Sequence, residues 1–142
     1  WRTHSVQQLT ETYEKCLAGK YKFFISTPCI EFWLLFHLCP NIKKTYSNNL
    51  DDILDNGKVS SSHSYTSKIV SDLAGHAKKI SKKIFETKYL DNIDNAIVQC
   101  ETEFITDIKR LIGNDSCEKS RKGELGSNLP ELFKLLREDL NV

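Results

Sequence analysis

Methionine is absent from all 142 residues, and the chain opens on Trp1. Translation begins at methionine, so the expectation is that residues precede Trp1 in the gene product. Residues 1–142 then read as a single domain, the C-terminal part of a longer protein. A dominant charge is also absent. Twenty Lys and Arg against nineteen Asp and Glu leave +1 at pH 7, which excludes a global pull toward nucleic acid or membrane. No apolar run reaches the roughly twenty residues of a bilayer span. There is no secretory leader pattern, no internal repeat and no Cys-x-x-Cys pair. Five cysteines, an odd number without a secretion signal, read as reduced, mostly buried thiols of a cytoplasmic protein rather than as a disulfide framework. With 39% apolar and 27% charged residues, the chain can build a core and is not of disordered composition.

What is present is concentrated in Lys22 to His37, KFFISTPCIEFWLLFH. Lys22–Ser26 has the length and the aromatic and β-branched content of a buried strand. Thr27 is placed as an N-cap, with Pro28 at the first helical position, where its missing N–H costs nothing. A helix should then run from Cys29 to about Cys39 and stop before Pro40. Ile30, Phe32, Trp33, Leu34, Leu35, Phe36 and Leu38 cover it on nearly every side. Such a helix is a core helix or a membrane span, and this one is too short to be a span.

Around it the periodicity predicts further helices. Trp1–Ala18 carries Val6, Leu9, Tyr13, Cys16 and Leu17 at spacings of three and four, with Gly19 as its C-terminal cap. Helix, glycine and strand form half of an α/β unit, which calls for a parallel strand upstream. Pro40–Asn49 reads as a loop, Leu50–Leu54 as one turn closed by Asn56-Gly57, and Lys58–Ser64 as a flexible Ser-rich connector. A helix opened by Ser64 or Thr66 should carry the stripe Ile69, Leu73, Ala77, Ile80 and Ile84, with Gly75 as its weak point. Asn92–Ile112 should be one helix ending at Gly113, and Asp115–Ser127 a loop. Asn128 should cap a last helix, which docks through Leu132, Phe133, Leu135, Leu136 and Leu140.

The string Ser26-Thr27-Pro28-Cys29-Ile30-Glu31-Phe32-Trp33-Leu34-Leu35-Phe36-His37 resembles the signature of the RloB family. Outside it the likeness is looser: Tyr65 with Lys68, the helix near Asp94–Phe104 and the closing Ser127-Asn128 helix. The resemblance implies an α/β fold of TOPRIM-like type, here mostly helical with about five helices and at least one core strand. It also implies a bacterial phage-defence role, often beside an ATPase partner. For the intact protein it implies a metal-dependent nuclease using Mg2+ on nucleic acid, with no cofactor expected for this segment alone. The sequence departs from that pattern in one respect. TOPRIM chemistry takes a Glu after a first strand and an Asp-x-Asp after a later one, and the short stretch before Lys22 supplies neither. The alternative is a non-catalytic helical module that partners an ATPase.

Candidate site residues follow from residue type and place. Glu31 begins a buried helix, where the dipole favours its ionised form and burial opposes it. It is either a site carboxylate or a structural carboxylate that pins its neighbours. His37, the second catalytic candidate, is six residues on, about 120° round the helix, which rules against a direct Glu31–His37 dyad. Its structural alternative is a core histidine bonded to a backbone carbonyl. Trp33 reads as core rather than as a stacking platform. Cys29, His37 and Cys39 lack zinc-finger spacing. Cys29 could be an activated thiol, since a helix N-terminus lowers thiol pKa, but no base is placed beside it. Lys78, Lys79, Lys82 and Lys83 form i,i+4 pairs of like charge, suited to nucleic-acid phosphates or simply to water. Lys119, Arg121 and Lys122 make a second, weaker basic cluster.

Overall fold

The computed structural model describes residues 4–75, 80–114 and 123–140. The first helix, α1 (Val6–Ala18), starts at Ser5 through a reciprocal cap. Ser5 Oγ accepts the Gln8 N–H at 3.1 Å while Gln8 Oε1 accepts the Ser5 N–H at 2.9 Å. It ends at Gly19, as expected. Val6 is buried, but Leu17 is exposed, so its apolar stripe is only partly covered.

The strand expected at Lys22–Ser26 contracts to β1 (Ser26–Thr27). Its partner is β2 (Gly126–Ser127), antiparallel, with Ser26 opposite Ser127 and Thr27 opposite Gly126. The parallel strand expected upstream of Trp1 lies outside this sequence, and the partner that β1 has here is antiparallel. The ladder is short because β2 runs straight into the last helix. Thr27 does not cap the next helix either. Its hydroxyl donates to the Leu111 carbonyl at 2.6 Å, the Thr27–Pro28 peptide is cis, and the N-cap position passes to Cys29.

Helix α2 (Ile30–Leu38) is the centre of the core, as its all-round apolar sequence predicts. Phe32, Leu35 and Phe36 are fully buried, and α2 packs mainly against α5 (Tyr65–Ala74) and α7 (Ile93–Glu103). Burial of each such side chain is worth about 1.5–3 kcal/mol. Phe104 closes edge-on against Phe32 and Phe36 at 5.4 and 5.2 Å. Trp33 stacks on Phe133 at 5.6 Å with 19° between the rings, which makes it a core residue.

The loop expected after Pro40 contains a short helix, α3 (Ile42–Thr45). Ile42 is fully buried, and Gln99 on α7 holds the turn: its Oε1 accepts the Ile42 N–H and its Nε2 donates to the Cys39 carbonyl, both at 2.8 Å. Helix α4 (Leu50–Asp55) ends at Asn56 in the left-handed conformation, where the sequence predicts a turn. The Ser-rich connector folds back on itself through a Lys58–Ser64 bridge.

Two long helices predicted from periodicity are each broken. Helix α5 stops at Gly75, whose φ of 70° is open to glycine and strained for other residues. A new start follows at Ser81, whose Oγ accepts the Ile84 N–H at 3.3 Å. It gives α6 (Lys82–Ile84), a π-helical turn (Phe85–Tyr89), a 3₁₀ turn (Leu90–Asn92) and then α7. The second break is at Phe104, which is extended. Ile105 pairs with the β2 segment instead, and Asp107 caps α8 (Ile108–Ile112). Gly126 makes that pairing feasible: a Cβ there would lie 1.9 Å from the Ile105 carbonyl oxygen.

The last helix, α9 (Leu129–Asp139), buries Pro130 and half-buries Leu132, Phe133 and Leu135, but Leu136 and Leu140 stay exposed. Asn128 occupies the cap position without a side-chain cap bond. Among the described residues the chain is therefore mostly helical, with one small two-stranded sheet. Among the described residues Cys16, Cys29, Cys39 and Cys100 are free thiols, and no helix is long and apolar enough to cross a membrane.

Candidate functional site

The two ionisable residues of α2 lie at its opposite ends and in unlike surroundings. At the N-terminal end Glu31 is half-buried in the first turn, with Cys29 as its close neighbour. Burial pushes the Cys29 thiol up to about 12, and the negative charge of Glu31 and a hydrogen bond to it push the same way. The lowering that a helix N-terminus could give is outweighed by desolvation and the adjacent carboxylate. Cys29 is thus a protonated donor to Glu31 at neutral pH, and no nucleophile.

At the other end His37 is 9% exposed. Its Nδ1 lies 3.0 Å from the Trp33 carbonyl. A carbonyl only accepts, so Nδ1 carries the proton. Burial pulls the pKa below its ordinary value, and the imidazole is neutral with a lone pair on Nε2. The ring sits edge-on to Trp33 at 5.0 Å and to Tyr89 at 5.8 Å. Six residues of helix rise separate Glu31 from His37 by roughly 9 Å along the axis, so they belong to different neighbourhoods.

His37 lines a cavity of about 390 Å³ between the C-terminal ends of α2 and α5 and the irregular turns that lead into α7. Leu38 and Leu73 supply apolar wall, while Lys88, Asn92 and Asn95 supply polar groups. Asn92 Nδ2 donates to the Lys88 carbonyl at 3.1 Å, which ties the π turn to the 3₁₀ turn. A larger cavity, about 560 Å³, lies between α1 and α8. None of the candidate residues read from the sequence lines it, and its Arg110 and Glu124 are engaged with each other at 2.6 and 2.7 Å.

Only half of the lysine cluster falls within the described residues. Lys78 and Lys79 lie outside the described residues, as do Ala77, Lys119, Arg121 and Lys122. Lys82 and Lys83 are exposed at the start of α6. The predicted i,i+4 stacking of all four requires one helix through 78–83. The extended backbone of Ser81 (φ −72°, ψ 157°) interrupts it. Lys82 instead faces Glu86 at 3.8 Å, an exposed pair of little energetic weight. Lys88, six residues on, lines the His37 cavity, and sequence reasoning misses it because it fits no apolar stripe and no motif. A π turn has no distinctive sequence period, so no local signal marks it.

A Mg2+ centre asks for clustered oxygen ligands, chiefly carboxylates. Among the described residues no three His, Cys, Asp or Glu side chains come together, and Glu31 has a thiol beside it. These residues do not fit that ion.

A family model described as "RloB-like protein" matches residues 2–134. No curated protein matches the chain, and no solved structure does.

Proposed function

The chain belongs to the RloB-like protein family, and from that footing we propose that it is part of a bacterial phage-defence protein of TOPRIM-related type, acting on nucleic acid. In this reading the segment supplies a backbone-binding surface, and any Mg2+-dependent nuclease chemistry of the intact protein uses acidic residues other than the described ones. The observation that carries it is a run of exposed lysines, Lys82, Lys83 and Lys88, the last of which lines the cavity at His37. Phosphate contacts by lysine are indifferent to sequence and weaken with salt. Glu31 and His37 then act in positioning and recognition.

The test is a salt titration of binding to two unrelated sequences, with wild type and the double variant Lys82→Gln, Lys83→Gln. Weaker binding to both is expected. The slope of log affinity against log salt should fall by about one for each phosphate that a lysine no longer neutralises. Identical affinities and slopes would retire the role. Residues 1–142 with Mg2+ should leave DNA and RNA uncut; cleavage abolished by chelation would overturn the division of labour.

The rival reading, a helical module that docks on an ATPase, draws on Leu136 and Leu140, exposed four residues apart on and just after α9. It predicts that Leu136→Lys with Leu140→Lys abolishes copurification with the ATPase, while the lysine variants leave it intact.

A further inference from the structure

The cavity at His37 has a composition that narrows what it can hold. Its volume of about 390 Å³ falls within the range of small-molecule pockets. Leu38 and Leu73 give it aliphatic walls. His37 Nε2 is an acceptor, because Nδ1–H is committed to the Trp33 carbonyl. Asn92 donates to the Lys88 carbonyl and keeps its own oxygen. Asn95, exposed on the first turn of α7, presents an acceptor and a donor side by side. Lys88 adds one positive charge. Lys88, Asn92 and Asn95 come from a π turn, a 3₁₀ turn and an α-helix in direct succession. A π segment of this sort recurs at functional sites.

Three simple occupants fit poorly. A bare phosphate would set its oxygens against the lone pair of Nε2. A divalent cation would meet a single nitrogen ligand next to an ammonium. An acyl chain would leave the amides unpaired. A flat ring with N–H donors on its edge and an anionic tail satisfies every group.

We propose that this cavity seats one unstacked nucleotide, its base between Leu38 and Leu73 with its edge on Asn95 and His37, and its phosphate toward Lys88. The proposal rests on the reading of this chain as a nucleic-acid contact and adds a place where a base is held. Paired amide groups read a base edge by two parallel bonds, and the aliphatic walls of Leu38 and Leu73 would cover the base faces without regard to sequence. The nucleotide is either free or part of a single strand.

Three probes decide it with the 142-residue chain: the four nucleoside 5′-monophosphates, a base-bearing single-stranded hexamer, and a hexamer of abasic phosphate units of equal length. The base-bearing strand should bind about tenfold tighter than the abasic one, from the apolar area and edge bonds that the base adds. Asn95→Leu should erase that difference, and Lys88→Gln should weaken both strands. Both positions are exposed, so the fold should survive. If Asn95→Leu lowers the melting temperature, Asn95→Asp keeps the shape and removes the donor. The His37 Nε2 nitrogen resonance should move on binding, which a surface contact at Lys82 and Lys83 would not cause. Asn95-dependent binding of a monophosphate identifies a free nucleotide; dependence seen only with the strand identifies a strand subsite. Equal binding of both hexamers with no movement of Nε2 overturns the subsite and leaves the lysine surface standing. Monophosphate binding without any strand binding supports the subsite and sinks the strand-binding reading. No binding of any probe overturns both.

Discussion

Asn128 takes the place of a strand opposite Ile25. Its Oδ1 accepts the Ile25 N–H at 2.7 Å, and its Nδ2 donates to the Phe23 carbonyl at 2.8 Å. Its own N–H donates to the Ile25 carbonyl at 3.2 Å. One amide side chain thus satisfies backbone groups more than a hundred residues away in sequence, and it fixes the chain leading into α2. Asn128→Ala leaves the Ile25 N–H and the Phe23 carbonyl without these partners and should cost about 1–3 kcal/mol. A urea titration reads this as a lower midpoint at unchanged slope. An unmoved midpoint would mean that water replaces both bonds.

Trp33→Ala should be among the most damaging core substitutions, at about 3–5 kcal/mol. It removes a side chain that is 4% exposed and contacts Phe133, Phe36 and His37 at once. Phe133→Ala removes only the half-buried outer ring of the stack and should cost distinctly less. Thermal melts of the two variants check the order; a reversal would place the weight of the interface on α9.

Stability should fall with acid through His37. Burial lowers its folded pKa below the ordinary value of 6.5, while the unfolded chain retains that value. The unfolded state therefore binds more protons below pH 6.5, and stability rises with pH across this window. The contribution is complete above 6.5 and is lost as pH falls through the folded pKa. Urea midpoints at about pH 7.5 and about pH 5.5 measure it. In His37→Gln the difference should shrink, and an unchanged difference would assign the effect to carboxylates.

Cys29 should resist alkylation. With its thiol pushed up to about 12, iodoacetamide at about pH 8 should modify it at least about a hundredfold more slowly than in the urea-unfolded chain. Glu31→Gln removes a charge that raises the pKa and should speed the reaction. Mass spectrometry of the modified peptide gives both rates. Reaction of folded Cys29 at the unfolded rate would show that the thiolate is accessible after all.

Local rules fixed part of this protein outright. The stop at Gly19, the all-round apolar α2 and the turn at Asn56 depend on residues within a few positions of one another, and each stands where local physics puts it; the Ser5–Gln8 cap is equally local, although the apolar spacing alone starts that helix at Trp1. Glu31, His37 and the exposed lysines are visible in the sequence as residue types on those elements. Their surroundings are not. Periodicity cannot foresee a break that a distant partner stabilises. Phe104 leaves the helix to fill the Phe32–Phe36 cluster, Ile105 pairs with a segment some twenty residues on, and Gly126 admits that approach only because it lacks a Cβ. The same holds at the site. The neutral His37, the bond that sets its tautomer, and the cavity that joins it to Lys88 and Asn95 arise where α2, α5 and α7 meet. That meeting is decided by burial of the core, which acts on residues far apart in the chain.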